Sequence, residues 1–374
     1  MHIVEFTGGS LRFADAVPAA APADGFVWIY LDREDFARHL PELQEAAHRL
    51  GGSPLLDVHA KDLANPAHPS GYDATSVYDL VVFRRLASLA EVQLNGNHDP
   101  HTGAAGARRA PKPQPFERID SRAVGFVVFD RLLISVHPPG CQTAVGFLQR
   151  QADDARLSVD SASARNRVPQ GPDDLVLRML NAMVDSYLDL RRDLSEALEQ
   201  AQVELLKPHP APHTWGALMH ARGRLHGLQD LCEEQQDAMQ EWLDTLRELP
   251  LSTYGPDPLL AQQRHDQLVA RARDVMEHIE RVLRHARRLE QAAETAVQIH
   301  FAAQGQRTND TMRALTAITA VFLPLNLFTG FFGMNFEHLP LIHSVEGMWL
   351  ALLLLVVLAL GIVVLFWRRR YLTR

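Results

Sequence analysis

Two apolar runs near the C-terminus constrain this chain more than anything else in its 374 residues. Ala314 to Phe332 is about 19 residues without a charge, and Met348 to Trp367 is about 20; each is long enough to cross the roughly 30 Å hydrocarbon core of a bilayer. The first run is not uniformly apolar. Asn309, Met312, Thr316, Thr319, Leu323, Asn326 and Gly330 recur every three or four residues and so share one stripe of a helix. Most of that stripe is polar or small, whereas Ile318, Val321, Phe322, Leu325, Leu327 and Phe328 occupy the other faces. Hydrocarbon cannot satisfy hydroxyl and amide groups, so the stripe needs protein or water to face. Thr and Asn at such positions also suit hydrogen bonding between helices, and the stripe alone does not choose between the two uses. The second run is apolar around its whole circumference, as a lipid-facing helix is.

Arg307 and Arg313 precede the first span, and Arg368, Arg369, Arg370 and Arg374 follow the second. The connecting loop, 333–347, holds Glu337 and Glu346 but no Lys or Arg. Basic residues stay on the cytoplasmic side, so both termini are expected there and the loop outside. No basic segment followed by an apolar stretch stands at the N-terminus, and no cleaved signal is expected.

Roughly 310 residues precede the membrane, enough for a cytosolic body with its own core. Lys and Arg number 37 against 45 Asp and Glu, a balance that argues against nucleic acid and suits cations. Cys141 and Cys232 lack metal-type spacing. The 18 histidines are scattered, and none is assigned as a ligand.

Residues 1–165 read as a mixed α/β domain. Phe26–Leu31 and Val77–Leu86 have strand character, Ala123–Val136 reads as a hairpin turning near Asp130-Arg131, and Arg33–Leu50 has helical periodicity stopping at Gly51-Gly52. Asn95–Pro115, rich in Gly, Pro and His, reads as a loop. No nucleophile elbow, phosphate loop or supported carboxylate pair occurs, so a sensing or assembly platform is expected rather than an enzyme. Residues 166–256 read as a helical hairpin: one helix over Asp173–Leu206, a break at Lys207–Pro212, and a second over Thr214–Leu249. Residues 257–313 form a stalk continuing into the first span (314–333), with Leu268, Val275, Ile279, Val282, Leu289, Ala293 and Ala296 at helical spacing. The outer loop (334–347), the second span (348–367) and a basic tail (368–374) complete the chain. A two-span subunit cannot enclose a hydrated path alone, so copies must gather around the stripe.

Gly333-Met334-Asn335, closing the first of two C-terminal spans and followed by Phe336-Glu337, resembles the signature of the CorA family of divalent-cation transporters. The resemblance extends through Asn309, Met312, Leu315, Phe322 and Pro324, and reaches the stalk at Arg273-Asp274-Val275 and Glu277-His278. It implies an α+β cytosolic domain, long helices and two C-terminal transmembrane helices, assembled as a funnel-shaped homopentamer in a bacterial inner membrane. It implies Gly333, Met334 and Asn335 as the selectivity filter. It implies a pore lined by Asn309, Met312, Leu315, Thr316, Thr319, Leu323 and Asn326.

Mg²⁺ gives up its water shell reluctantly, so a ring of Asn335 amides accepting hydrogen bonds from those waters suits it. A carboxylate ring there would hold the ion too well for release. Glu337 and Glu346 belong outside, raising the local cation concentration. By the resemblance, Mg²⁺ is both cargo and regulator, held between cytosolic domains at Asp274, with Glu277 one turn on and Asp79 or Asp73 as its partner; Arg271, Arg273 and Arg281 alongside also allow ordinary ion pairing. Phe332 where Tyr is common, and His338 and His343 in the loop, leave open a zinc-transporting branch (ZntB-like), with or without proton coupling, and a preference for Co²⁺ or Ni²⁺. A two-span sensor and a membrane scaffold are the readings from other classes.

Overall fold

The computed structural model describes residues 1–8, 10–88, 91–92, 115–141, 143–149, 168–205, 207, 212–334 and 345–368. It divides into two compact units, Met1–Glu294 and Thr295–Arg374.

The first unit is built on a seven-stranded sheet in the order β2-β1-β3-β7-β6-β5-β4. The strands are β1 (His2–Thr7), β2 (Ser10–Ala14), β3 (Gly25–Asp32), β4 (Gly71–Ala74), β5 (Asp79–Leu86), β6 (Ser121–Val128) and β7 (Leu132–His137). All neighbours run antiparallel except β3 and β7. The hairpin expected around Asp130-Arg131 is β6–β7, closed by Phe129 N–H donating to the Leu132 carbonyl at 2.9 Å. Both faces of the central strands are buried. Val27, Ile29, Leu31, Leu80, Val82, Ile134 and Val136 pack under α1 (Arg33–Ala46) and α2 (Asp57–Ala64) with Phe36, Leu43 and Leu63. Val81, Phe83, Val124 and Phe126 alternate to the opposite face and are also buried. Gly125 on β6 is what lets α2 approach, since a Cβ there would lie 2.3 Å from the Leu63 side chain.

Further helices of this unit are α3 (Pro172–Asp185), α4 (Tyr187–Leu205), α5 (Pro212–Glu248) and the first part of α6 (Pro258–Phe332). The helix expected over Asp173–Leu206 is therefore two helices. The Ser186 hydroxyl donates to the Met183 carbonyl at 2.6 Å, and that side-chain competitor for the backbone acceptor marks the break. α3 and α5 pack on β4, β5 and β6. Along α6, Leu268, Ala272, Val275, Ile279, Val282, Ala286, Leu289 and Ala293 are buried, a strict alternation of four- and three-residue steps. That is a seven-residue repeat, the spacing of a helix seated in a left-handed bundle. Each buried Leu, Ile or Val there is worth about 1.5–3 kcal/mol. Arg271 fastens the same segment to α3: its Nε donates to the buried Asp174 carboxylate at 2.7 Å, which also accepts from Arg178.

The second unit holds α6 from Thr295 onward and α7 (Val345–Arg368). Both carry stretches long and apolar enough to cross a membrane. The loop read at Asn95–Pro115 lies, but for Pro115, outside the described residues; so do Arg369, Arg370 and Arg374.

Candidate functional site

Almost none of the membrane-length part of α6 is buried within the chain; from Thr308 to Met334 Ala317 alone among the described residues is. Met312, Leu315, Ile318, Phe322, Leu323 and Leu327 are all exposed. A surface of that size requires lipid or other copies of the chain to cover it. Every residue expected to line the pore is likewise exposed: Asn309, Met312, Leu315, Thr316, Thr319, Leu323 and Asn326.

The hydroxyls on the stripe are oriented by the helix itself. Thr316 donates to the Met312 carbonyl at 2.8 Å and Thr319 to the Leu315 carbonyl at 2.9 Å. Each hydroxyl hydrogen is thus committed to the backbone, and what remains outward is the oxygen with its acceptor lone pairs. Pro324 adds a further acceptor, because it brings no N–H to the Ala320 carbonyl one turn back. A helix face rich in acceptors, to which Asn309 and Asn326 add amide oxygens alongside their N–H groups, suits something that donates in every direction, such as the water shell of a cation.

α6 ends where the glycine-methionine pair begins. Gly333 N–H donates to the Thr329 carbonyl at 2.9 Å and Met334 N–H to Phe331 at 3.4 Å. Asn335 and Glu337 lie outside the described residues. Glu346 stands exposed in the first turn of α7, where the helix dipole favours a carboxylate.

In the first unit, the residues expected for regulation fall into two groups. Asp274 on α6 is half-exposed; its carboxylate accepts from Asn181 Nδ2 of α3 at 3.3 Å and stands 3.7 Å from His278 Nε2. His278 Nδ1 lies 2.9 Å from Asp185 Oδ1. Glu277 pairs with Arg281 at 3.3 Å on the exposed face. Asp79 begins β5 among different neighbours. Burial pushes its carboxyl up to about 6, the nearby Tyr72 hydroxyl opposes that, and Asp173 and Asp130 add repulsion. Asp73 is held by His59 Nε2 at 2.9 Å. Among the described residues of one chain, no three His, Cys, Asp or Glu converge to hold a metal ion. Asn181, His278 and Asp185 were not assigned from the sequence. They come from two helices some 90 residues apart, and no local spacing announces such a group.

The family profile described as CorA-like Mg2+ transporter protein matches residues 99–370. This chain belongs to the CorA family. The cobalt/magnesium transport protein CorA of Thermotoga maritima is 26% identical over 200 residues, which cover 54% of the chain and 53% of that protein. The chain thus spans about half the length of that relative. The complete structure of the CorA magnesium transporter from Methanocaldococcus jannaschii superposes with a TM-score of 0.72 at 15% identity, covering 98% of this chain and 97% of that one. The cytoplasmic domain of ZntB from Vibrio parahaemolyticus gives 0.51 at 12% identity, covering 82% and 98%. At these identities the structural matches establish the fold that a CorA chain shares: a soluble α+β domain, a long helix and a C-terminal apolar helix.

Proposed function

We propose that this CorA-family chain is a divalent-cation transporter of the channel type, with Mg²⁺ as its principal cargo and Co²⁺ or Ni²⁺ as further substrates. Copies of the chain, five by the family resemblance, surround a path lined by α6, with residues 314–333 and 348–367 spanning the bacterial inner membrane and both termini in the cytoplasm. The observation that carries the reading is the exposed stripe whose Thr oxygens face outward with their hydrogens already spent on the helix. Hydrated Mg²⁺ passes by exchanging hydrogen bonds of its water shell along such acceptors, without the cost of stripping them. Gly333, Met334 and Asn335 form the filter at the outer end, Asn326 a second amide ring, and Glu337 and Glu346 gather cations outside. The membrane potential supplies about 4.6 kcal/mol per divalent ion at 100 mV, twice the single-charge value, so no nucleotide is required. Mg²⁺ held between copies at Asp274, Glu277 and Asp79 restrains the path when internal Mg²⁺ is high.

Uptake into proteoliposomes under an inside-negative potential tests this, comparing Mg²⁺, Co²⁺, Ni²⁺ and Zn²⁺ for wild type and Asn335→Ala. Mg²⁺ entry that the substitution abolishes is expected. Zn²⁺ entry outpacing Mg²⁺ and following a pH gradient would place the chain with the zinc transporters. No uptake of any ion by folded protein would remove the transport reading.

A further inference from the structure

Within the second unit, three large apolar side chains stand at intervals of eleven residues on α6: Phe301, Met312 and Leu323. They are 57%, 56% and 67% exposed. Eleven residues make three helical turns and a rise of about 16 Å, with a drift of about 20° per step, so the three share one slowly turning line. Between them the same line is small or polar. Gly305 and Thr308 stand four and seven residues after Phe301, and Thr316 and Thr319 four and seven after Met312. Thr308 repeats the arrangement seen at Thr316 and Thr319, its hydroxyl donating to the Gln304 carbonyl at 3.1 Å. The alternation of one bulky apolar residue with two acceptors or small residues therefore begins one full step before the segment that the filter motif and the apolar run identify.

We propose that Phe301 is a further apolar collar of the ion path, three turns inward of Met312, and that it sets part of the barrier to a hydrated divalent cation. The proposal rests on the pore reading above and extends it. A ring of apolar side chains facing one another expels water, and a cation that keeps its hydration shell cannot pass until the ring widens. Phe301 is the bulkiest of the three and lies farthest from the membrane-length run, so widening there needs motion of the α6 segment before the span, not of the span itself. Ile299 is the internal comparison: also exposed, but two residues and about 160° away around the helix, on the opposite face.

The full chain is reconstituted with single cysteines at Phe301→Cys, Met312→Cys, Leu323→Cys or Ile299→Cys and treated with a short bifunctional thiol reagent; the native Cys141 and Cys232 are buried, and the unsubstituted chain gives the background. Cross-linking of copies at 301, 312 and 323 but not at 299 is expected. Ni²⁺ entry into Mg²⁺-loaded vesicles should rise about tenfold in Phe301→Ala, a barrier change of about 1.4 kcal/mol, and stay near the original rate in Phe301→Leu. Cross-linking at 312 and 323 without 301 would overturn the collar while leaving the pore. Unchanged entry in Phe301→Ala with cross-linking at 301 would overturn its role as a barrier. Absence of cross-linking at 312 and 323 would remove the pore reading, and this inference with it.

Discussion

Tyr187 on α4 donates its hydroxyl hydrogen to His285 Nδ1 on α6 across 2.6 Å. The tautomer follows from the surrounding bonds. Ser195 spends its hydrogen on the Arg191 carbonyl at 3.1 Å, so its oxygen must accept from His285 Nε2–H at 3.2 Å. That leaves Nδ1 as the acceptor for Tyr187. Burial, then the charges of Arg191 and Arg288, push the imidazole down to about 4. His285 is therefore a neutral pin between two helices, using both nitrogens and carrying no charge.

A pin of this kind makes folding sensitive to acid. The unfolded chain takes up the proton near 6.5 and the folded chain only near 4, so the unfolded state binds more protons between those values and stability falls as pH is lowered through that window. Below about 4 the penalty is complete. His285→Gln keeps a donor and an acceptor but does not titrate. Thermal unfolding of the detergent-solubilised protein at pH 7, 6 and 5 should show a smaller loss of midpoint in His285→Gln than in the unsubstituted chain. Equal losses would mean that His285 is already protonated or exposed in the folded state.

Asp79 works in the opposite direction. Its carboxyl is raised to about 6 by burial, against 3.8 in the unfolded chain. The folded state therefore holds the extra proton between about 3.8 and 6, so this group favours folding as pH falls through 6 and opposes it at neutral pH. Asp79→Asn keeps the size and polarity of the side chain and removes the buried charge. A higher unfolding midpoint at pH 7.5, with the advantage shrinking toward pH 5, is expected. A lower midpoint at pH 7.5 would show that the charge is balanced by a cation, as the regulatory reading requires at high Mg²⁺, so the scan is run with chelator and with added Mg²⁺.

The contrast between these groups shows where the sequence was legible. Regular pattern carried far: β3, the β6–β7 hairpin, α5, α6 and both apolar runs follow from periodicity and turn residues. The edges did not. β2 is largely exposed and β4 has four residues, so neither displays the alternation that marks a half-buried strand. Ser186 looks like any polar residue within a helical pattern, and its hydroxyl decides the break only through the Met183 carbonyl. The stripe on the first span was readable because its polarity violates what lipid tolerates. The groups around Asp274, Asp79 and His285 were not readable, because each joins residues from different elements. The change along α6 from a buried seven-residue repeat to an exposed eleven-residue one also needed the structure, since burial is what separates the two.

Asp274 offers a test of regulation separate from helix packing. Asn181 Nδ2 donates to its carboxylate at 3.3 Å, so Asp274→Ala removes both a charge and a contact between α3 and α6. Asn181→Ala removes the contact and leaves the charge. If Mg²⁺ between copies restrains the path, Asp274→Ala raises the internal Mg²⁺ needed for half-inhibition several-fold and Asn181→Ala leaves it nearly unchanged. Equal shifts in the two variants would assign the effect to packing.

The Thr oxygens on the stripe yield the sharpest expectation for transport. Thr319→Val preserves shape and removes the oxygen, while Thr319→Ser preserves the oxygen and removes a methyl group. The helix loses little in either case, because the hydroxyl bond to Leu315 is an addition to a carbonyl already within the helix. If hydrated Mg²⁺ passes by exchanging water hydrogen bonds with these acceptors, the Val variant lowers the uptake rate by about tenfold, the cost of one to two kcal/mol for a lost hydrogen bond at the barrier. The Ser variant stays close to the original rate. The same pair at Ile318, which faces away from the stripe, is the control. Equal rates in the Val and Ser variants at 319 would mean that the hydroxyl joins helix to helix and that the ion takes its hydrogen bonds elsewhere.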